Sequence, residues 1–145
     1  MRGLAIACTL LALTGSVLAQ PSPPASPSHA TPLIRLPNGD YTVPMKALLP
    51  AGTSGKVTFH PQGPKTIVSV FVFGNQKRKF NFRLHGGGDC VRSGVAPIPL
   101  RPAFGGQVSQ TVVALPIEKL TSSDYVVDAR DATARSQFAE ACARL

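Results

Sequence analysis

The stretch FNFRLHGGGDC, residues 80–90, holds the side chains whose types and spacing come nearest to chemistry. It reads as a strand that runs into a Gly-rich turn and then a cysteine. Positions 83 and 85 are two apart, so on a strand both side chains leave from the same face. A metal centre built on such a strand would take imidazole at both. The chain has Arg83 and His85, which has the form of a metal site with one ligand replaced.

Other chemistry is thin. Ser109 and Ser136 are isolated, with no Ser-His-Asp order around them. Gly86-Gly87-Gly88 precedes no helix, so it reads as a turn and not as a phosphate cradle. Met45 is the single methionine beyond the first residues, which argues against a Met-rich copper carrier.

The elements that must position Arg83 and His85 are strands. KFNFRLH (79–85) alternates cleanly: Phe80, Phe82 and Leu84 take one face, and Lys79, Asn81, Arg83 and His85 the other. Further strands are expected over 41–49, where Pro44 marks an edge or bend, and over 55–61, 65–74, 109–116, 124–131 and 139–145. The run KTIVSVFVFG (65–74) is the richest in β-branched and aromatic residues. No segment keeps a helical period with caps; TARSQFAEA (133–141) offers a turn of helix at most. Seven or so short strands between Gly/Pro turns predict an antiparallel all-β sandwich or barrel.

The chain begins MRGLAIACTLLALTGSVLAQ. Arg2, a short apolar run from Leu4 to Leu13 and small residues at Val17-Leu18-Ala19 have the pattern of a signal peptide over residues 1–19, cleaved after Ala19. The apolar run is too short to span a bilayer, and nothing later resembles a stop-transfer segment. Residues 20–39 open with QPSPPASPSHATP, an extended Pro/Ser-rich spacer with little to bury. It reads equally as a stand-off from a surface and as a plain unstructured tail, and His29 within it is a poor catalytic candidate. Residues 40–145 form one domain with one core. The expected location is periplasmic or secreted.

Removing the leader takes away Cys8 and leaves Cys90 and Cys142. Two cysteines in an exported chain most simply form one disulfide. The alternative, a reactive or metal-binding thiol pair, lacks a nearby His cluster.

The full chain carries a formal charge of +8. Lys77, Arg78 and Lys79 are the densest basic run, in a hairpin loop. With no Trp and no aromatic residues interleaved with the basic ones, the pattern does not fit a nucleic-acid partner. A basic exported surface fits an anionic envelope component, or simple solubility. A polyanion-binding module would use Lys77, Arg78, Lys79, Arg92 and Arg101.

Strand, His, small turn, Gly-Asp-Cys, then Ala-Cys close to the last residue: RLHGGGDC (83–90) and EACARL (140–145) together resemble two blocks of the Cu/Zn superoxide dismutase family. GKVTF (55–59) is similar to an early strand of that family, and YVVDA (125–129) to its late Val-Val-His-Ala. The likeness runs in order over residues 41 to 145. It implies an eight-stranded Greek-key barrel with metals bound outside it, and a disulfide between Cys90 and Cys142.

It also implies a ligand count, which this chain fails. The first copper ligand becomes Arg83 and the late one becomes Asp128; His85 alone keeps an imidazole at a ligand position. From Val91 to Ile117 there is no His, Asp or Glu to hold zinc. The position of the family's substrate-guiding arginine is Ala139, with Arg135 nearby but off register. Copper and zinc sites need three or four converging ligands. The leading expectation is therefore a dismutase-like domain without dismutase activity and without a cofactor, binding an unknown protein or envelope component, as monomer or dimer. The alternative is a degenerate dismutase with copper held weakly by His85 and Asp128. In the vacated site, Arg83 and Asp128 are expected to form a bidentate ion pair beside His85.

Overall fold

In a computed structural model the described residues are 33–50, 52–74, 76–87, 89–90, 95–134 and 138–145, without the side chains of 95 and 96. The leader, the spacer as far as residue 32, Arg92 and Arg135 lie outside them. Strands dominate: β1 (Ile34–Arg35), β2 (Tyr41–Ala47), β3 (Gly55–Gln62), β4 (Lys65–Val72), β5 (Lys79–Gly86), β6 (Val95–Phe104), β7 (Val108–Val113), β8 (Tyr125–Asp131) and β9 (Ala141–Arg144). Among the described residues a single short helix, α1 (Ile117–Thr121), sits between β7 and β8.

The alternation in the sequence becomes the two faces of the sheet. Val57 and Phe59 of β3, Val68, Val70 and Val72 of β4, and Phe80, Phe82 and Leu84 of β5 all point inward and are buried. Opposite Phe82, the inner positions of β8 and β9 are the small Ala129 and Ala141. Large side chains from one strand therefore fill space left by small ones on the next.

All pairings are antiparallel, in the order β6-β5-β8-β9-β2-β3-β4-β7, with β1 added beside β2. β2 joins two halves of the sheet: its first five residues pair with β3, while Lys46 and Ala47 pair with β9. The remaining gap, between β6 and β7, has no backbone ladder. It is bridged where the Arg101 N–H donates to Thr111 Oγ1 (2.8 Å) and the Ser109 hydroxyl donates to the Arg101 carbonyl. β5, β6 and β7 are thus successive neighbours, and β8 returns to lie beside β5, which is a Greek key in a nearly closed barrel. The connections β2–β3, β4–β5, β6–β7 and β8–β9 gather at one end, and the others at the opposite end.

Two elements differ from the sequence reading. β6 runs through a stretch for which the sequence offered no strand, and Pro97, Pro99 and Pro102 lie along it. Proline is excluded from a strand that must donate on both sides; β6 has a ladder only with β5, so the missing N–H groups cost it little. α1 buries Ile117 and Leu120 against the core, a contact three residues apart that five residues are too few to advertise as a period. Of the helical turn considered over 133–141, residues 135–137 lie outside the described residues; 133, 134 and 138–140 are not helical, and Ala141 opens β9. In addition, β1 lies within the stretch assigned to the spacer, where Ile34 pairs with Thr42.

Candidate functional site

The outer face of β5, β8 and β9 carries the residues the sequence singled out. Arg83 is the cross-strand partner of Asp128, Asp128 of Cys142, and Cys142 of Lys46. Partners in an antiparallel ladder project to one side, so these four form one row across the outside of the barrel. His85 and Val126 start the next row.

Within this array Asp128 is nearly inaccessible, 1% exposed, and so is His85 at 2%. Burial of the imidazole differs from the exposed position a side chain on the outer face would ordinarily have. The Asp128 carboxylate accepts from Arg130: Nε lies 3.2 Å from both oxygens and Nη2 2.8 Å from Oδ2. His85 Nε2 stands 3.4 Å from the same Oδ2. The expected Arg83–Asp128 ion pair is absent. Arg83 and Asp128 face each other in register, but the carboxylate is held by Arg130 and His85. The reason is position: residues 128 and 130 are two apart on one strand, hence on one face, and the guanidinium fork folds back onto the carboxylate at short range. In YVVDARD the spacing rule that grouped Arg83 with His85 puts Arg130 on the same face as Asp128, which makes it a candidate without choosing it over Arg83.

The disulfide expected between Cys90 and Cys142 is present, with Cα atoms 5.6 Å apart. It brings the segment that follows β5 over the outer face, onto the row that contains Asp128, and takes the Cys142 sulfur out of consideration as a ligand.

The donor set opposes a copper ion. Binding would need lone pairs of Asp128 that already accept from a guanidinium, next to a second cation at Arg83, with His85 as the single imidazole. Among the described residues no three His, Cys, Asp or Glu side chains come together in a manner that could hold a metal.

The basic run is divided. Arg78 Nη2 lies 2.6 Å from both Asp131 Oδ2 and Glu140 Oε1. The hydrogen bond to Asp131 raises the guanidinium's pKa further, with Glu140 adding to it against the opposing effect of burial. Asp131 is pushed well below the usual carboxylate range, first by the Thr133 hydroxyl, then by the Thr133 N–H and by Arg78. Arg78 therefore belongs to the structure, cross-linking the β4–β5 loop to β8 and to the approach to β9. Lys77 and Lys79 are exposed beside it, and Arg101 is exposed on β6. At the opposite end of the barrel, His60 Nδ1 lies 2.5 Å from Asp40 Oδ1 in an open cavity of about 330 Å³ lined also by Arg35, Tyr41 and Glu118; this pairing had no signal in the local sequence, since 20 residues separate the two.

Comparison with protein-family models, with curated proteins and with solved structures finds no match to this chain.

Proposed function

We propose that the chain is an exported, disulfide-stapled barrel of the Cu/Zn superoxide dismutase type that has lost dismutation and serves a structural or binding role. The observation that carries this reading is the Arg130–Asp128 pair: the carboxylate at the late copper position is already neutralised by a fixed internal cation. Dismutation needs copper to cycle between two oxidation states while held by several ligands, and a guanidinium at the ligand's oxygens opposes any cation there. Supporting the family reading are the Gly-Asp-Cys and terminal Ala-Cys blocks, whose cysteines are joined, and the Greek-key order of the strands. Supporting export are the leader-like first 19 residues and a disulfide, which persists in oxidising compartments.

The test is metal loading and activity together. Protein stripped of metal and then given copper and zinc is expected to retain less than one copper per chain after dialysis, and to remove superoxide no faster than the free copper present. Activity that saturates at one copper per chain and vanishes in His85→Ala would overturn the reading.

A further inference from the structure

Apolar side chains that reach solvent are not spread evenly over the barrel. Among the described residues, eight large hydrophobics are exposed. Ile34 and Val112 lie toward the end that carries α1. The other six, Leu48, Leu49, Phe73, Phe104, Val108 and Phe138, lie on or beside the β2–β3, β4–β5, β6–β7 and β8–β9 connections, which share one end. Phe73 is 54% exposed, Phe104 41%, Val108 59% and Phe138 69%. Phe71, the cross-strand partner of Val108, stacks edge-on against Phe73 at 5.0 Å.

These four connections are tied into one platform. The Phe73 N–H donates to the Ser54 carbonyl, Gly106 N–H to Val72, Gly105 N–H to Arg78, and Leu48 N–H to Glu140, all at 2.8–2.9 Å. Arg78 adds its two ion pairs, to Asp131 and Glu140. The apolar tips are therefore held on a braced surface.

Exposed cations predominate at this end. Lys46 at the end of β2, Lys56 at the start of β3 and Lys79 at the start of β5 are exposed. Lys56 is the cross-strand partner of Phe71, and Lys79 of Phe104, so cations and apolar groups are interleaved on one surface. Of the chain's seven acidic residues, Asp131 and Glu140 reach this end, and Arg78 binds both. Asp40, Glu118 and Asp124 lie toward the other end, Asp89 adjoins the Cys90 that is bridged to Cys142 beside Lys46, and Asp128 is enclosed by Arg130 and His85.

Apolar loop tips ringed by lysines, with the local carboxylates neutralised from within, match a surface that is apolar inside and anionic at its boundary. We infer that this end of the barrel docks on an anionic lipid bilayer. The tips enter the boundary between headgroups and acyl chains, while the lysine stems lie along apolar surface and their ammonium groups meet the lipid charge. A soluble polyanion would use the lysines and leave the phenylalanines in water. The inference stands on this end of the barrel alone and does not depend on the reading of the vacated metal site.

The chain contains no Trp, so one introduced indole reports from one place. Phe73→Trp, with Phe104→Trp as a second reporter should the first misfold, is read by fluorescence with vesicles of phosphatidylcholine alone and mixed with phosphatidylglycerol. Ile34→Trp, at the opposite end, controls for contact made by any other part of the full chain. The expected result is a blue shift for Phe73→Trp with the mixed vesicles, little or none with phosphatidylcholine, and none for Ile34→Trp. Replacing Lys46, Lys56 and Lys79 together by Gln should weaken binding on the order of a hundredfold at low salt. The inference is overturned if both end-loop reporters stay in water while the protein sediments with vesicles, or if Ile34→Trp shifts equally. It is also overturned if the Phe73→Trp shift appears without vesicles and grows with protein concentration, which would assign this face to a second copy of the chain.

Discussion

Arg130 binds Asp128 from two residues along the same strand, with Nη2 2.8 Å from Oδ2, on the outer face of a barrel where Arg83 is the closer neighbour across the ladder. A site that resembles a metal centre in sequence is in this way closed by an internal ion pair. Because Asp128 is 1% exposed, removing its partner leaves a buried charge without compensation, and that cost exceeds what the pair contributes over an apolar substitute.

Arg130→Met is expected to lower unfolding stability by about 3–5 kcal/mol, whereas Arg83→Met changes it by about 1 kcal/mol or less. Urea unfolding of both variants, each alone and combined with Asp128→Asn, separates the two arginines. Strong coupling of Asp128 to Arg130 and simple additivity with Arg83 is the expected outcome. Equal coupling to both would mean that Arg83 shares the carboxylate.

The Cys90–Cys142 bridge closes a loop with a sequence separation of 52. Chain entropy alone assigns such a closure about 4 kcal/mol. Cys142→Ser should lose stability of that order in denaturant unfolding, and the unreduced protein lacking residues 1–19, and with them Cys8, should show no titratable thiol by mass spectrometry. Two free thiols in the folded protein would contradict the pairing.

Folding holds the Asp131 carboxyl below its ordinary value, through the Thr133 hydroxyl and N–H and through Arg78. The ionised form is therefore the one folding favours. Its contribution is full above the unfolded carboxylate's pKa of about 3.9 and is lost as pH falls below that toward the folded value. Asp131→Asn should be less stable than the native chain at neutral pH, and the difference should shrink as pH drops below about 4. Thermal unfolding at a series of pH values reads this directly; a difference that stays constant down to acid pH would rule out the ionised carboxylate as its source.

Gly55 opens β3 where the strand passes close to β4. A Cβ at this position would overlap the carbonyl oxygen of Phe71, a backbone atom that cannot turn aside. Gly55→Ala should cost about 1–3 kcal/mol by forcing the two strands apart. The same change at Gly39, where nothing lies within 4 Å of the added atom, acts through backbone strain alone, since its φ is +87°. Comparing the two variants by denaturant unfolding distinguishes crowding from conformation.

Much of the barrel was legible along the chain. KFNFRLH alternates with period two and entered the fold as read, Phe80, Phe82 and Leu84 inward and Arg83 outward, and KTIVSVFV, read as a strand from its β-branched and aromatic content, forms β4. The cysteine pair was legible by count. These are local properties, because the pleat alone decides which side of a strand a residue takes. β6 was not legible, because whether three prolines are tolerated depends on how many neighbours the strand has, and the neighbours come from elsewhere in the chain.

The candidate site divides along the same line. Spacing alone grouped Arg83 with His85; that Asp128 and Cys142 join them was implied by the family resemblance of the short blocks. Which arginine neutralises Asp128 was not readable, because both stand on the correct face and the choice rests on distances of a few ångström set by strand register and twist. The same holds for Arg78, removed from a basic run by two carboxylates 53 and 62 residues away, and for the exposed Leu and Phe residues, scattered in sequence and gathered at one end by four connections. Sequence determined the faces of the strands, since alternation is built into the backbone; only the tertiary structure decided the partners, since an ion pair or a surface patch is formed by side chains that the fold, and not their order, brings together.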